Sequence, residues 1–358
     1  MKGSILKNMQ IFENIHPLRN WRRLMVREEK LIGFVPTMGS LHEGHLSLIK
    51  QANKLCKAVA VSIFVNPAQF APNEDLDKYP RSLSDDLAKL SAINCVDAVF
   101  LPKVEDIYPA GITLDVEKQL GTFVEVKGKS HQMEGQSRPT FFRGVATVVT
   151  KLFNIVQPDH VFFGQKDIQQ CAVIKNLIRD LHFPLELHVG PTLREEDGLA
   201  MSSRNKYLTP EMRKVAAILY QSLNAVKHAF EQNIRDRKNL LAPAYDLIEN
   251  KSRFIKDQNL DFSIKLDYLS LADPESLQEL DEVGENGAIL SDEHACEILK
   301  TGTSNSKSAN QHIYQNIYQY YYKESLNLYL APTLLSNSPK QSIIYPTLDY
   351  SMFEKNEI

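Results

Sequence analysis

The sequence predicts an α/β fold built on a parallel sheet, followed by a smaller α+β region and a divergent tail. Three observations predict it. Short, nearly continuous apolar runs alternate with helical patterns over the first 190 residues. The alternation then gives way to longer helices. Finally, the composition shifts after residue 291, where 8 of the 14 tyrosines but only one of the 15 glycines are found. These changes divide the chain into regions 1–190, 191–291 and 292–358.

In the first region "LIGFVPTM" (31–38), "AVAVSIFVN" (58–66), "DAVFLP" (97–102), "HVFFG" (160–164) and "LELHVG" (185–190) read as strands. Their near-unbroken apolar character is that of parallel strands covered on both faces. Helical patterns lie between them, at about 43–56, 83–93, 143–156 and 167–181. Ile168, Val173, Ile174, Leu177, Ile178 and Leu181 recur at helical spacing, as one buried face requires. Ligands of such sheets sit beyond the carboxyl ends of the strands. "PTMG", "VNPAQF", "LPKVEDIYP" and "FGQKD" all fall there. In the second region Thr209 reads as an N-cap and Pro210 as the first helical residue, as helix-start chemistry predicts. Helices follow to about Phe230 and from about Leu240 to Ile255. "KLDYLSLAD" (265–273) alternates like a half-buried strand. The tail opens with the polar linker "TGTSNSKSANQ", and its Tyr/Gln tract has neither helical nor two-residue periodicity. Residues 302–358 are therefore expected to be loosely ordered and dispensable.

Composition narrows the functional classes. A chain of 358 residues with 43% hydrophobic and 24% charged residues has the make-up of a soluble globular protein. A net charge of −3 gives no bulk attraction to nucleic acid. Cys56, Cys95, Cys171 and Cys296 are scattered without a CxxC pair, which argues against a zinc knuckle or disulfide framework. Reduced thiols fit a cytoplasmic location. No apolar run reaches the ~18 residues of a membrane span, and the start lacks a signal-peptide core.

The chemistry concentrates in three segments. In "FVPTMGSLHEGHLSLI" (34–49) a strand ends at Met38, the chain turns at Gly39 and a helix starts near Glu43. Free N–H groups at a helix start suit an anion. His42 and His45 could donate hydrogen bonds there to a phosphate. Taken alone, two surface loop histidines are an equally good reading of so short a pattern, and no third zinc ligand stands nearby. "FFGQKDIQQ" (162–170) puts Lys166 at a strand-to-helix junction, where its charge can reach phosphates. "REEDGLAMSSRNKYL" (194–208) offers Ser202, Ser203 and Arg204 in a glycine-bearing loop. Each of the last two segments alone fits an ordinary solvated loop.

In this order, with "FVNPAQF", "EDLDKYPRSLSDDL" and "RPTFFRGVATVVTKLFNIVQPD", these blocks closely resemble the pantoate–β-alanine ligase (pantothenate synthetase) family over about residues 9–290. "FAPNEDLDKYP" is most similar to its fungal members. That family belongs to the nucleotidyl-transferase superfamily, with the class I aminoacyl-tRNA synthetases. The resemblance implies a Rossmann-like catalytic domain (1–190), a small lid domain carrying the MSSR loop (191–291) and a cytoplasmic homodimer. It implies ATP as substrate with Mg2+, and pantoate and β-alanine as co-substrates, with no nucleic acid or membrane partner.

It also assigns roles. His42, His45, Lys166 and Arg204 would be catalytic. Pro36, Thr37, Met38, Gly164, Asp167, Leu193, Met201, Ser202 and Ser203 would join those four in binding ATP. Gln69, Gln170, Met38, Tyr79 and Arg138 would receive pantoate. Asp85 and Asp86 are the acidic candidates for the metal. Two rivals remain: another nucleotidyl-transferase of the superfamily, and an inactive homologue serving as an interaction protein. The first would need a basic acceptor site, whereas Gln69 and Gln170 suit a neutral polyol acid. The second is opposed by the intact His42, His45, Lys166 and Arg204. The family's closing C-terminal segment has no counterpart after "GAILS" (287–291).

Overall fold

The computed structural model describes residues 8–72, 74–298 and 318–328. Its first region is a six-stranded sheet in which every pairing is parallel, with spatial order β1-β4-β3-β2-β5-β6. The strands are β1 (Gln10–Phe12), β2 (Ile32–Thr37), β3 (Ala58–Ile63), β4 (Ala98–Phe100), β5 (His160–Gly164) and β6 (Glu186–Gly190). The five expected strands are present. Strand β1, at three residues, is too short to show a period. The helices of this region are α1 (Ile15–Arg27), α2 (Glu43–Leu55), α3 (Leu83–Ala92), α4 (Val104–Ile107), α5 (Glu134–Ser137), α6 (Phe141–Val156) and α7 (Ile168–Asp180). Helix α1 buries Leu18, Trp21 and Met25, a stripe at helical spacing that is readable in the sequence.

Both faces of the sheet are covered. On one, Phe34, Ala60 and Phe100 pack with α6 residues Phe142, Val145, Val149 and Phe153. On the other, Val35, Val59, Val61 and Val99 pack with Leu46, Ile49 and Ala52 of α2. Burial on both sides explains the unbroken apolar runs.

The chain leaves β2 in one direction through β3 and β4, then returns to continue through β5 and β6. The switch point lies between β2 and β5. There the two strands separate. Strand β2 pairs with β3 from Ile32↔Ala58 to Thr37↔Ile63. It pairs with β5 only at Gly33↔His160 and Phe34↔Val161. The carbonyl of Ile32 accepts from Asp159 N on the β5 side, whereas those of Leu31 and Thr37 accept from the β3 side. By that alternation Pro36 faces β5 without an N–H to donate, so the ladder ends there. A crevice opens between the carboxyl ends of β2 and β5.

The second region holds α8 (Pro210–Ala216), α9 (Ile218–Glu231), α10 (Arg237–Asp257) and the antiparallel strands β7 (Phe262–Ala272), β8 (Ala288–Ile298) and β9 (Tyr318–Leu328), in order β7-β8-β9. The single helix expected from Pro210 to Phe230 is broken at Ala217. Thr209 does cap α8, its side chain accepting from Met212 N at 3.2 Å. Leu223, Val226, Leu240 and Ala244 pack on Leu269, Leu271 and Leu290 of the sheet.

The tail requires a correction. Residues 302–358 were expected to be loosely ordered, and the pattern to break after Ser291. Strand β8 instead runs to Ile298 and pairs with β9 along its whole length, from Ala288↔Leu328 to Ile298↔Tyr318. The "YQYYYKESLNL" tract is rich in the aromatic residues that favour strands. Its residues do not alternate strictly between apolar and polar, so no local period exposes it. Residues 299–317 and 329–358 lie outside the described residues. The Cα atoms of β9 come within 8 Å of α9 and of the turns at Gln165–Asp167 and Ser203–Tyr207. A chain ending at Thr301 would leave β8 as an open edge. Its melting temperature should fall by several degrees, and its soluble yield should drop. Melting identical to that of the full chain, followed by circular dichroism, would show that β9 contributes no stability.

Candidate active site

A cleft of about 240 Å³ occupies the crevice between β2 and β5. The turn after β2 forms its floor. Gly39 has a φ of +82° and Ser40 one of +51°, a left-handed bend that suits glycine and strains serine. Buried Asp86 of α3 stabilises it by accepting from Ser40 N at 2.8 Å and Leu41 N at 2.7 Å. This corrects the expected metal role. Asp86 supports the turn and is absent from the cleft wall, and Asp85 points outward to Lys89 Nζ at 2.8 Å.

The turn delivers His42 as the N-cap of α2. His42 Nδ1 accepts from Gly44 N at 3.2 Å, and His45 Nδ1 accepts from His42 N at 3.4 Å. Each ring therefore carries its proton on Nε2. The ring centroids are 4.0 Å apart. Desolvation, then the neighbouring His45 and Lys166, push the pKa of His42 down to about 2. Desolvation likewise lowers that of His45, to about 4. Both are thus neutral Nε2–H donors at the start of a helix, where backbone N–H groups and the dipole also favour an anion.

Gln69 ends the short 3-10 turn Pro67–Gln69 and lines the same cleft. Its orientation is fixed through Asn66. Tyr108 Oη donates to Asn66 Oδ1 at 2.6 Å. Asn66 Nδ2 donates to Gly144 O at 3.2 Å and to Gln69 Oε1 at 2.8 Å. The amide nitrogen of Gln69 is then its remaining polar atom for a ligand. Gly144 permits this arrangement, because a Cβ there would sit 2.1 Å from Ala68 O. Val145, Val148, Val149 and Leu152 of α6 form an apolar wall beside it. Of the two adjacent glutamines on α7, Gln170 lines the cleft. Gln169 turns away and donates to the carbonyls of Lys129 and Gln132, at 3.1 and 2.8 Å.

Buried Arg138 and partly buried Arg204 tie the surrounding loops together. Arg138 donates to both oxygens of Glu74, to Glu134 Oε1 at 2.8 Å and to Gln69 O at 3.0 Å. Arg204 makes a two-pronged bond to Asp75, at 3.2 and 3.1 Å. Tyr79 is buried against Phe70 and lies beneath the Arg204 guanidinium. The MSSR loop rests on the turn after β2. Ser203 Oγ donates to Ser40 O at 2.9 Å, and Lys206 Nζ to Ser40 Oγ at 3.0 Å. Ser202 caps the turn that carries Arg204, accepting from Arg204 N at 3.3 Å. Lys166 approaches from the end of β5, 3.7 Å from Asp167 Oδ1.

The fold thus gathers residues from distant segments onto one wall. Pro36, Thr37, Met38, His42, His45, Gln69, Tyr79, Arg138, Gly164, Lys166, Asp167, Gln170, Leu193, Met201, Ser202, Ser203 and Arg204 all line the cleft. Of the residues given roles from the sequence, only Asp85 and Asp86 do not.

The family model described as "Pantoate-beta-alanine ligase" matches residues 10–299. The chain belongs to the pantoate–β-alanine ligase family. A pantothenate synthetase of Chloroflexus aggregans is 46% identical over 277 residues, which cover 77% of this chain and 93% of that one. The pantoate–β-alanine ligase of Saccharomyces cerevisiae is also 46% identical, covering 77% and 89% of the two chains. Pantothenate synthetase from Thermus thermophilus superposes with a TM-score of 0.72 at 35% identity, covering 90% of this chain and 100% of that one. The Francisella tularensis ligase, solved with β-γ ATP and β-alanine, gives a TM-score of 0.62 at 32% identity over 88% of this chain and 97% of that one.

In this family member the sequence reading missed Asn66, Glu74, Asp75 and Glu134. All four position cleft residues, and their motifs show only ordinary polar and acidic residues. No helix among the described residues is long and apolar enough to cross a membrane.

The neutral histidine pair sets an acid sensitivity. Both folded-state pKa values lie below the ~6.5 of an exposed imidazole. The unfolded chain then binds more protons as pH falls from ~6.5 toward ~4, and stability drops over that window. The melting temperature of the native chain should fall more steeply there than that of His45→Gln. Parallel curves for the two proteins would mean that His45 titrates normally in the fold.

Proposed function

We propose that this cleft joins pantoate to β-alanine in two steps driven by ATP. The observation that carries the proposal is the convergence of neutral Nε2–H histidines, a lysine and the MSSR loop opposite an amide-tipped, apolar-walled pocket. The triphosphate would lie along the start of α2, with Pro36, Thr37 and Met38 beneath it. His42 and His45 would donate to the phosphates. Thr37 would act through its backbone, since its hydroxyl donates to Ser62 O at 2.8 Å. Lys166 would bridge phosphate and carboxylate, with Asp167 toward the ribose or adenine. Gly164, Leu193 and Met201 would flank the nucleotide.

Pantoate fits the other half. Its hydroxyl and carboxylate groups would meet Gln69 and Gln170, and its gem-dimethyl group would meet Val145, Val148, Val149 and Leu152. Tyr79 would close that side, and Arg138 would hold Gln69 in place. The pantoate carboxylate attacks the α-phosphorus of ATP, forming a C–O–P bond as pyrophosphate leaves. The β-alanine amine then attacks the activated acyl carbon, the amide forms, its proton goes to solvent and AMP departs. In-line geometry and donors placed on the growing phosphate charge account for such chemistry. Mg2+ would enter with ATP, held by phosphate oxygens and water, as this ion commonly is. Asp85 and Asp86 do not fit as its ligands.

Ser202 and Arg204 would clamp the phosphates, with Arg204 exchanging part of its Asp75 contact for them. Ser203, whose hydroxyl already donates to Ser40 O, would fasten the loop. The proposal places the reaction in the cytoplasm and in a homodimer.

His45→Ala should reduce ATP–pyrophosphate exchange with pantoate by about 10²–10³-fold, the usual cost of one transition-state donor. Its circular dichroism should remain native. Near-normal exchange would reduce the pair to surface histidines. Gln69→Ala should raise the KM for pantoate far more than that for ATP. Equal increases would place pantoate elsewhere.

A further inference from the structure

A second cluster lies on β5 and β6, toward their amino-terminal ends, and its three residues are not among those lining the cleft. His160 begins β5, while Glu186 and His188 lie on β6, the edge strand. The parallel register sets His160 beside Glu186 and Phe162 beside His188. Residues two apart on a strand share a face, so Glu186 and His188 project together and His160 meets them from the neighbouring strand. His160 Nδ1 lies 3.0 Å from His188 Nε2. Glu186 Oε2 is 3.6 Å from His160 Nδ1, and Glu186 Oε1 is 3.8 Å from His188 Nε2. All three ligand atoms fall within 4.8 Å of one another. His188 is held in place by stacking on Phe162, with centroids 4.8 Å apart and an interplanar angle of 18°.

We propose that His160, Glu186 and His188 form a binding site for a divalent transition-metal ion of the zinc class, separate from the catalytic cleft. The argument is geometric. With metal–nitrogen and metal–oxygen bonds of about 2.0–2.2 Å, the corners of a tetrahedral site lie about 3.3–3.5 Å apart. The two ring nitrogens are 3.0 Å apart, and with a single Glu186 oxygen the three ligand atoms lie within 4.8 Å of one another, so rotation of the exposed Glu186 side chain would close the site on an ion. Two imidazoles and one carboxylate favour zinc and its neighbours over magnesium or calcium. The Glu186 side chain is 67% exposed, which leaves an entry path and a fourth position for water. A bound ion would pin the edge strand β6 to β5.

Titration calorimetry of the metal-stripped full chain with Zn2+ should show one saturable site per chain. Added Zn2+ should raise the melting temperature, because it binds the folded state. Co2+ should give the visible bands of a four- or five-coordinate ion, without the near-ultraviolet thiolate bands that cysteine ligation would produce. Glu186→Gln and His188→Gln should each weaken binding by more than the ~10–100-fold that an outer-shell loss costs. The exposed position of Glu186 keeps its variant folded, and unaltered pyrophosphate exchange in that variant would separate this site from the cleft. An absence of saturable Zn2+ binding, or binding of undiminished strength in both variants, would overturn the proposal. The former would leave a plain hydrogen-bonded histidine pair. The latter would place the ion elsewhere, His42 and His45 included.

Discussion

The structure depends on the point where β2 and β5 part. Two strands paired to their ends would leave no room for a ligand between them. Pro36 has no N–H, and it lies where β2 would next bond to β5. The ladder therefore stops after Phe34↔Val161, while β2–β3 and β5–β6 continue. The same parting is a topological switch point, where the chain turns from one half of the sheet to the other. The histidines and Lys166 reach the cleft just beyond the ends of β2 and β5, where the strands diverge.

A second constraint is polar. The turn from β2 to α2 holds a serine at positive φ, and an acceptor for its backbone N–H groups steadies it. Buried Asp86 supplies one. The turn in turn sets the angle at which His42 and His45 leave the helix start. It also offers Ser40 as the landing point for Ser203 and Lys206. One buried carboxylate thereby aligns the histidine end of the cleft and the MSSR loop that rests on the turn.

Charge organises the cover. Arg138 and Arg204 are each matched by acidic residues of the 74–75 segment, with Glu134 completing the Arg138 set. Removing one member of the Arg138 set strands a buried charge, which is far costlier than losing a surface pair. These pairs hold the loop after β3 against α5 and the MSSR loop, which closes the cleft and leaves its floor to neutral donors. Burial keeps those histidines uncharged, so the positive charge on the cleft wall comes from Lys166, Arg204 and the helix start.

Much of this was legible in the sequence. The five longer strands of the sheet and the helices between them were readable because burial on both faces leaves unbroken apolar runs, while helices keep one apolar stripe. The blocks resembling the family named the cleft residues, and those at strand-to-helix junctions, Pro36 to Met38, Gln69 and Gly164 to Asp167, gather at one edge of the parallel sheet. Tertiary structure alone decided what each polar residue does there. Asp86 and Gln169 lie in those motifs yet satisfy backbone atoms, because a buried N–H or carbonyl needs a partner wherever one is in reach. Strand β9 was hidden because its Tyr-rich tract does not alternate strictly between apolar and polar residues. The register of β5 against β6 was likewise invisible, and it alone sets His160 beside Glu186 and His188. Sequence determines which elements form. Contacts between residues far apart in the chain depend on how those elements pack.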